Sequence, residues 1–189
     1  MVGTALHENF RASIGRSTGT KFLVPSLSWV CGGGGGAMIV AAVVMNEHKS
    51  LYGGTMDRDL YVMDAFEEIP TDMYRRSSGY LRTTEKQVRE NFELLDISGN
   101  EDGASETVTV HFKKDLFQHT APTLATDSVL ENIAVLRIDG NFYDSYQDAL
   151  YYGYPKVPVG GIIIFDDVFN QNIVMNCWND FKAVDRKGM

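Results

Sequence analysis

The sequence predicts an α/β domain of the doubly wound kind, built on a mostly parallel sheet, and three observations carry that expectation. Two near-continuous apolar runs, "NIAVLRIDG" (132–140) and "GGIIIFDDV" (160–168), stop at acids, as strands buried on both faces of a parallel sheet do. Strand-like and helix-like stretches alternate along the chain, which gives βαβαβ order. The length of 189 residues suits one domain with one sizeable core.

The elements follow in order. "KFLVPSLSWV" (21–30) is weakly strand-like and is interrupted by Pro25. After five consecutive glycines, Ala37 to Asn46 reads as a buried helix. "DLYVMDAF" (59–66) is a strand that reaches an acid at Asp64. "TTEKQVRENFELL" (83–95) opens with Thr84 as an N-cap, and Val88, Phe92 and Leu95 form its apolar stripe. "ETVTVHFKKDLF" (106–117) alternates as a strand should. Tyr143 to Tyr152 is helical and Pro155 closes it, while Cys177 to Val184 reads as a last helix. "GNEDGAS" (99–105) is an exposed loop.

Composition excludes several function classes. The net charge of −8, with no cluster of Lys and Arg, disfavours nucleic acid as a partner. The longest apolar run, Ala37 to Met45, falls far short of the roughly 20 residues that span a bilayer. The first twenty residues lack the apolar centre of a secretory signal. Cys31 and Cys177 fit no metal-ligand spacing, so a reducing, cytoplasmic setting is the expectation.

Four acids sit at strand ends: Asp64, Asp139 and the pair Asp166 and Asp167. In open α/β sheets, ligands collect outside the carboxyl ends of the strands. Each acid alone has an ordinary reading as a turn or cap aspartate. Together, Asp139, Asp166 and Asp167 end two strands expected to lie side by side, and they would repel unless a cation joined them. Oxygen ligands without Cys or His favour a hard ion, Mg²⁺ or Ca²⁺. Asp64, at the end of an earlier strand, is placed to hold a ribose hydroxyl.

The blocks "YVMDAFEEIP", "VRENFELL" and "IAVLRIDGNFYDSYQDALYYGYPKVPVGGIIIFDDV" resemble the macrocin O-methyltransferase family (TylF/MycF type) over Ala37 to about Ala183. The resemblance implies a Rossmann-like class I methyltransferase that uses S-adenosylmethionine and Mg²⁺ to methylate a hydroxyl of a small molecule, a sugar first of all. It implies Asp139, Asp166 and Asp167 at the metal, Asp139 also as general base, and Asp64 and Phe66 at the cofactor. Tyr143, Asp144 and Ser145 would begin a helix near the substrate. "VHFKKDLFQHTAP" matches a family segment in which Asp115 replaces glycine and His119 replaces an acid. His119 reads as a second acid/base group or as a solvent-facing loop residue.

The family's first motif reads roughly "FLELGVWRGGxxI", and its acid and glycines meet the cofactor. Here Gly35, Gly36, Ala37 and Ile39 agree, which assigns Gly35, Gly36 and Ala37 to the cofactor, but Trp29 stands in the acid's place. "PSLSWVCGG" can be written in codons whose shifted frame spells that missing motif. The chain therefore divides into residues 1–33, a divergent start that reads either as frame-shifted or as leading into a genuine, divergent Gly-rich loop, and residues 34–189, the methyltransferase domain. The resemblance also implies shortening at both ends, with sheet edges open to self-association. Two rivals stand beside the enzyme reading. One is an impaired relative that keeps the fold without its first cofactor motif. The other is a nicotinamide dehydrogenase, which lacks a GxGxxG after a clean strand. The frameshift reading predicts that the coding DNA upstream of Gly34 spells Phe-Leu-Glu-Leu-Gly-Val-Trp-Arg-Gly in a shifted frame, and sequencing that DNA decides it.

Overall fold

The structure is a computed structural model that describes residues 23–28, 36–52, 59–67, 83–95, 108–126, 132–140, 142–166, 168 and 172–185. The loop expected at 99–105 lies outside the described residues, as do Trp29, Cys31, Gly35 and Asp167. Among the described residues, five strands form one sheet: β1 (Leu23–Ser28), β2 (Asp59–Asp64), β3 (Thr109–Lys114), β4 (Val135–Asp139) and β5 (Ile162–Phe165). Their order is β3-β2-β1-β4-β5 and every pairing is parallel. The chain steps outward from β1 to β3, then returns to the far side of β1 for β4 and β5. That reversal makes the gap between β1 and β4 the switch point of the sheet.

Five helices cover the two faces: α1 (Gly36–Tyr52), α2 (Glu85–Leu94), α3 (Phe117–Thr126), α4 (Tyr143–Gly153) and α5 (Asn172–Asp185). Side chains alternate along the strands, so β2, β4 and β5 each feed both cores. Leu60 and Val62 of β2 join Met38, Ala41 and Met45 of α1 and Val88 and Phe92 of α2. Tyr61 and Met63 of the same strand join Phe117 and Leu124 of α3, Tyr146 and Leu150 of α4, and Val174 and Cys177 of α5. β4 is buried along its whole length, which explains its near-continuous apolar sequence.

Several expectations are refined. β1 takes the central place although Pro25 lacks a backbone donor, and its pairing with β4 begins only at Ser26, just past the proline. The strand read over 106–117 ends at Lys114, and Phe117 instead opens α3. Pro122 inside α3, together with its β-branched threonines, hides this helix from a pattern reading. Its start is set by the Leu116 carbonyl, which accepts from the N–H groups of His119 and Thr120 at 2.9 and 3.1 Å. The last helix starts at Asn172, five residues before Cys177. Leu95 is not part of the α2 stripe; it is the C-cap and is exposed.

Thr84 does cap α2. Its side chain accepts from the Gln87 N–H at 3.3 Å while the Gln87 side chain accepts from the Thr84 N–H at 3.0 Å, a reciprocal capping box. Asn46 on α1 ties the same layer to β3, its Oδ1 accepting from the Val108 N–H at 2.7 Å. Thr84→Ala is expected to lower stability by about 1 kcal/mol. Urea unfolding reads this as an earlier midpoint at unchanged slope.

Candidate functional site at the carboxyl edge of the sheet

The parallel register fixes where the acids stand. Ser28, the last residue of β1, pairs with Asp139, and Leu27 pairs with Met63. Asp64 and Asp139 therefore flank the end of β1, two strand spacings or roughly 10 Å apart. Ile138 pairs with Phe165, and the Asp166 N–H continues the ladder by donating to the Ile138 carbonyl at 3.0 Å. Asp166 thus follows β5 at the level of Asp139. Alternation puts Arg137, Asp139 and Asp166 on the face covered by α1 and α2.

Arg137 is the element that joins this edge. Its side chain is only 5% exposed, and its Nη2 donates to Asp139 Oδ2 at 2.7 Å and to Asp166 Oδ2. One positive charge thus serves two carboxylates. Burial pushes the Asp139 carboxyl up to about 7, Arg137 opposes the rise, and the neighbouring Asp166 adds to it. Two carboxylates turned toward one cation position, with oxygen donors alone and a surplus of negative charge, fit a hard divalent ion. Among the described residues no group of three His, Cys, Asp or Glu side chains gathers at one point. Asp167, the third expected ligand, lies outside the described residues.

Asp64 is buried at the end of β2, and its Oδ1 accepts from the Phe66 N–H at 2.8 Å. That turn holds Phe66 at φ 49, the left-handed region, which costs a non-glycine residue roughly 1–2 kcal/mol. The Phe66 ring sits in the core, 6.0 Å from the ring of Phe112. Any part Phe66 plays at a ligand falls to its backbone. Gly36 opens α1 with nothing within 4 Å of where a Cβ would lie, while Ala37 packs against the core. The N-terminus of α1 is thus open to a ligand on its Gly36 side. At Gly140, directly after Asp139, a Cβ would meet that of Ser145 at 2.8 Å, so only glycine lets the chain turn here into α4.

The remaining candidates stand apart from the Asp139–Asp166 pair. His119 lies on α3, exposed, with Nδ1 2.9 Å from Asp115 Oδ1, and that contact lowers the Asp115 carboxyl below its usual range. The pair is still linked to the end of β2, because the Asp115 N–H donates to the Asp64 carbonyl at 3.1 Å. Tyr143 donates to Asp180 at 2.8 Å, which ties the start of α4 to α5 and pushes the phenol up to about 12. Sequence reasoning missed Arg137 and Tyr146. The signal for Arg137 was a lone cation two residues before Asp139 in an apolar run.

A parallel sheet of this order, with acids along its carboxyl edge, is the architecture of the class I O-methyltransferases. The solved O-methyltransferase NovP matches with a TM-score of 0.73 at 26% identity, over 95% of this chain and 72% of that one. The macrocin-O-methyltransferase (TylF) family model matches residues 28–187, and the chain belongs to that family. The demethyldecarbamoylnovobiocin O-methyltransferase of Streptomyces niveus is 36% identical over 123 residues, 59% of this chain and 42% of that enzyme. The 8-demethyl-8-(2,3-dimethoxy-alpha-L-rhamnosyl)-tetracenomycin-C 4'-O-methyltransferase of Streptomyces olivaceus is 31% identical over 125 residues, 60% of this chain and 43% of that enzyme. The matches thus span less than half the length of these curated relatives. No described helix is long and apolar enough to cross a membrane.

An aspartate whose folded pKa lies near 7 and whose ordinary value is 3.8 favours the folded state when protonated. Its contribution is full below the ordinary value and is lost as pH rises through the folded one. In metal-free protein the thermal midpoint is expected to fall between about pH 4 and about pH 7, and Asp139→Asn should flatten that fall. A slope unchanged in Asp139→Asn would assign the fall to another group.

Proposed function

We propose that this chain is an S-adenosylmethionine-dependent, Mg²⁺-assisted O-methyltransferase acting on a hydroxyl of a small molecule. The placement of Asp64, Asp139 and Asp166 along one carboxyl edge, in a member of this family, carries the reading. A sugar hydroxyl is the first acceptor class to test, because the Streptomyces olivaceus relative is named for a substrate that bears a rhamnosyl unit.

Gly35, Gly36 and Ala37 would bring the backbone at the start of α1 close to the cofactor, where a side chain on a glycine would intrude. Asp64 would accept from the ribose hydroxyls while its other oxygen keeps the Phe66 turn. Phe66 would contribute through that turn. Asp139, Asp166 and Asp167 would hold Mg²⁺. The bound groups supply an electrophilic methyl and a divalent charge that favours the ionised form of the acceptor hydroxyl. Asp139 would accept the hydroxyl proton. Arg137 keeps the Asp139 and Asp166 carboxylates turned toward one another before substrate arrives. The cytoplasm is the proposed setting, with a small-molecule acceptor as partner, no nucleic acid or membrane, and self-association through the sheet edges.

Trp29 in the place of the family's first-motif acid favours a second reading, an impaired relative that keeps the fold and loses cofactor affinity. Calorimetric titration with S-adenosylhomocysteine separates the two. Micromolar binding by the folded chain supports the enzyme, and its absence supports the impaired relative. Asp64→Asn keeps an oxygen for the Phe66 N–H and removes the charge. It is expected to weaken S-adenosylhomocysteine binding about tenfold to a hundredfold, the range for a hydrogen bond to a charged group.

A further inference from the structure

Asp166 is gripped from both faces of the sheet. On the α1 and α2 side, Arg137 donates to its carboxylate. From the opposite face, the hydroxyl of Tyr146 on α4 donates to its backbone carbonyl at 3.0 Å. Tyr146 is fully buried in the core beneath α4, its ring stacked at 6.4 Å on Phe165, the residue just before Asp166. The contact joins residues 20 apart in sequence and passes around the end of β5.

That position has a mechanical consequence. β5 pairs only with β4 among the described residues, and the strand ends at Phe165. The Asp166 backbone is held on one side by its N–H on the Ile138 carbonyl. Tyr146 takes the other end of the same residue, and a buried phenol that lost its acceptor would carry a desolvation cost. The Asp166 side chain is 44% exposed, so packing alone does not fix its direction. The backbone is thus bonded at both N–H and C=O, and the carboxylate meets the Arg137 guanidinium that also holds Asp139.

We propose that Tyr146 is a positioning residue for the acidic edge, its hydroxyl holding the Asp166 backbone so that the carboxylates of Asp166 and Asp139 meet one divalent cation. The role rests on the Mg²⁺ reading above. Groups that orient a metal's ligands typically change affinity by about ten- to a hundredfold when removed. Tyr146→Phe deletes one oxygen and keeps the ring against Phe165.

The test uses Mn²⁺ as the probe, its free fraction read from the electron paramagnetic resonance signal, with wild type, Tyr146→Phe and Thr120→Val. Thr120 is a control: it is buried on α3, and its hydroxyl donates to the Leu116 carbonyl, within one helical turn and away from the β4–β5 edge. Thermal melts of all three chains establish that they fold. Mn²⁺ affinity reduced about tenfold in Tyr146→Phe and unchanged in Thr120→Val supports the assignment. Equal Mn²⁺ affinity in wild type and Tyr146→Phe overturns it while leaving the metal reading intact. An equal loss in both variants also overturns it, since general loosening would then be the cause. A folded wild type that takes up no Mn²⁺ removes the metal reading and this role with it.

Discussion

A guanidinium shared between two carboxylates governs the carboxyl edge of this sheet. Arg137 stands inside β4, buried, where an unpaired charge would be prohibitive. Its partners are supplied by the ends of the two strands that the parallel register sets level, Asp139 and Asp166. The cation makes it tolerable for two acids to face each other in a half-dry cleft, and the acids make it tolerable to bury the cation. Neither half of the arrangement would persist alone. With both carboxylates ionised, the charge left over after this exchange is negative.

The sheet around it obeys the constraint that parallel strands must be covered on both faces. α1 and α2 seal one side; α3, α4 and α5 seal the other. Because the return from β3 to β4 passes over the second side, the reversal of strand order falls beside β1. The acids of β2 and β4 close the carboxyl ends of those flanking strands, and both are buried there.

Much of this architecture is legible in the residues themselves. β2, β4 and β5 show because an apolar run that halts at an acid is the pattern of a strand covered on both faces and open at its end. Thr84 shows because capping chemistry is local. α3 does not, since Pro122 and three threonines oppose helix on propensity and only packing of Phe117, Ala121 and Leu124 overrides them. Arg137 stands in plain view, but its two partners depend on strand register, which no single segment encodes. Tyr146 looks like one more residue of an amphipathic helix. Its hydroxyl matters only because the end of β5 comes within reach on the other side of the sheet. The left-handed turn at Phe66 is equally hidden, because a phenylalanine carries no sign of positive φ.

The turn beyond β2 is fastened within itself, to β3 and to the turn beyond β3 by one contact each. The Asp64 carboxylate closes on Phe66, the Phe66 ring rests near Phe112 of β3, and the Asp64 carbonyl accepts from Asp115. The ends of β2 and β3 stand level, Asp64 beside Lys114. His119 leans on Asp115 from the solvent side, and Asp115 donates to Asp64, so two contacts separate that exposed imidazole from the buried acid. The outer rim of the sheet and the buried acid of β2 are thus joined without passing through the core.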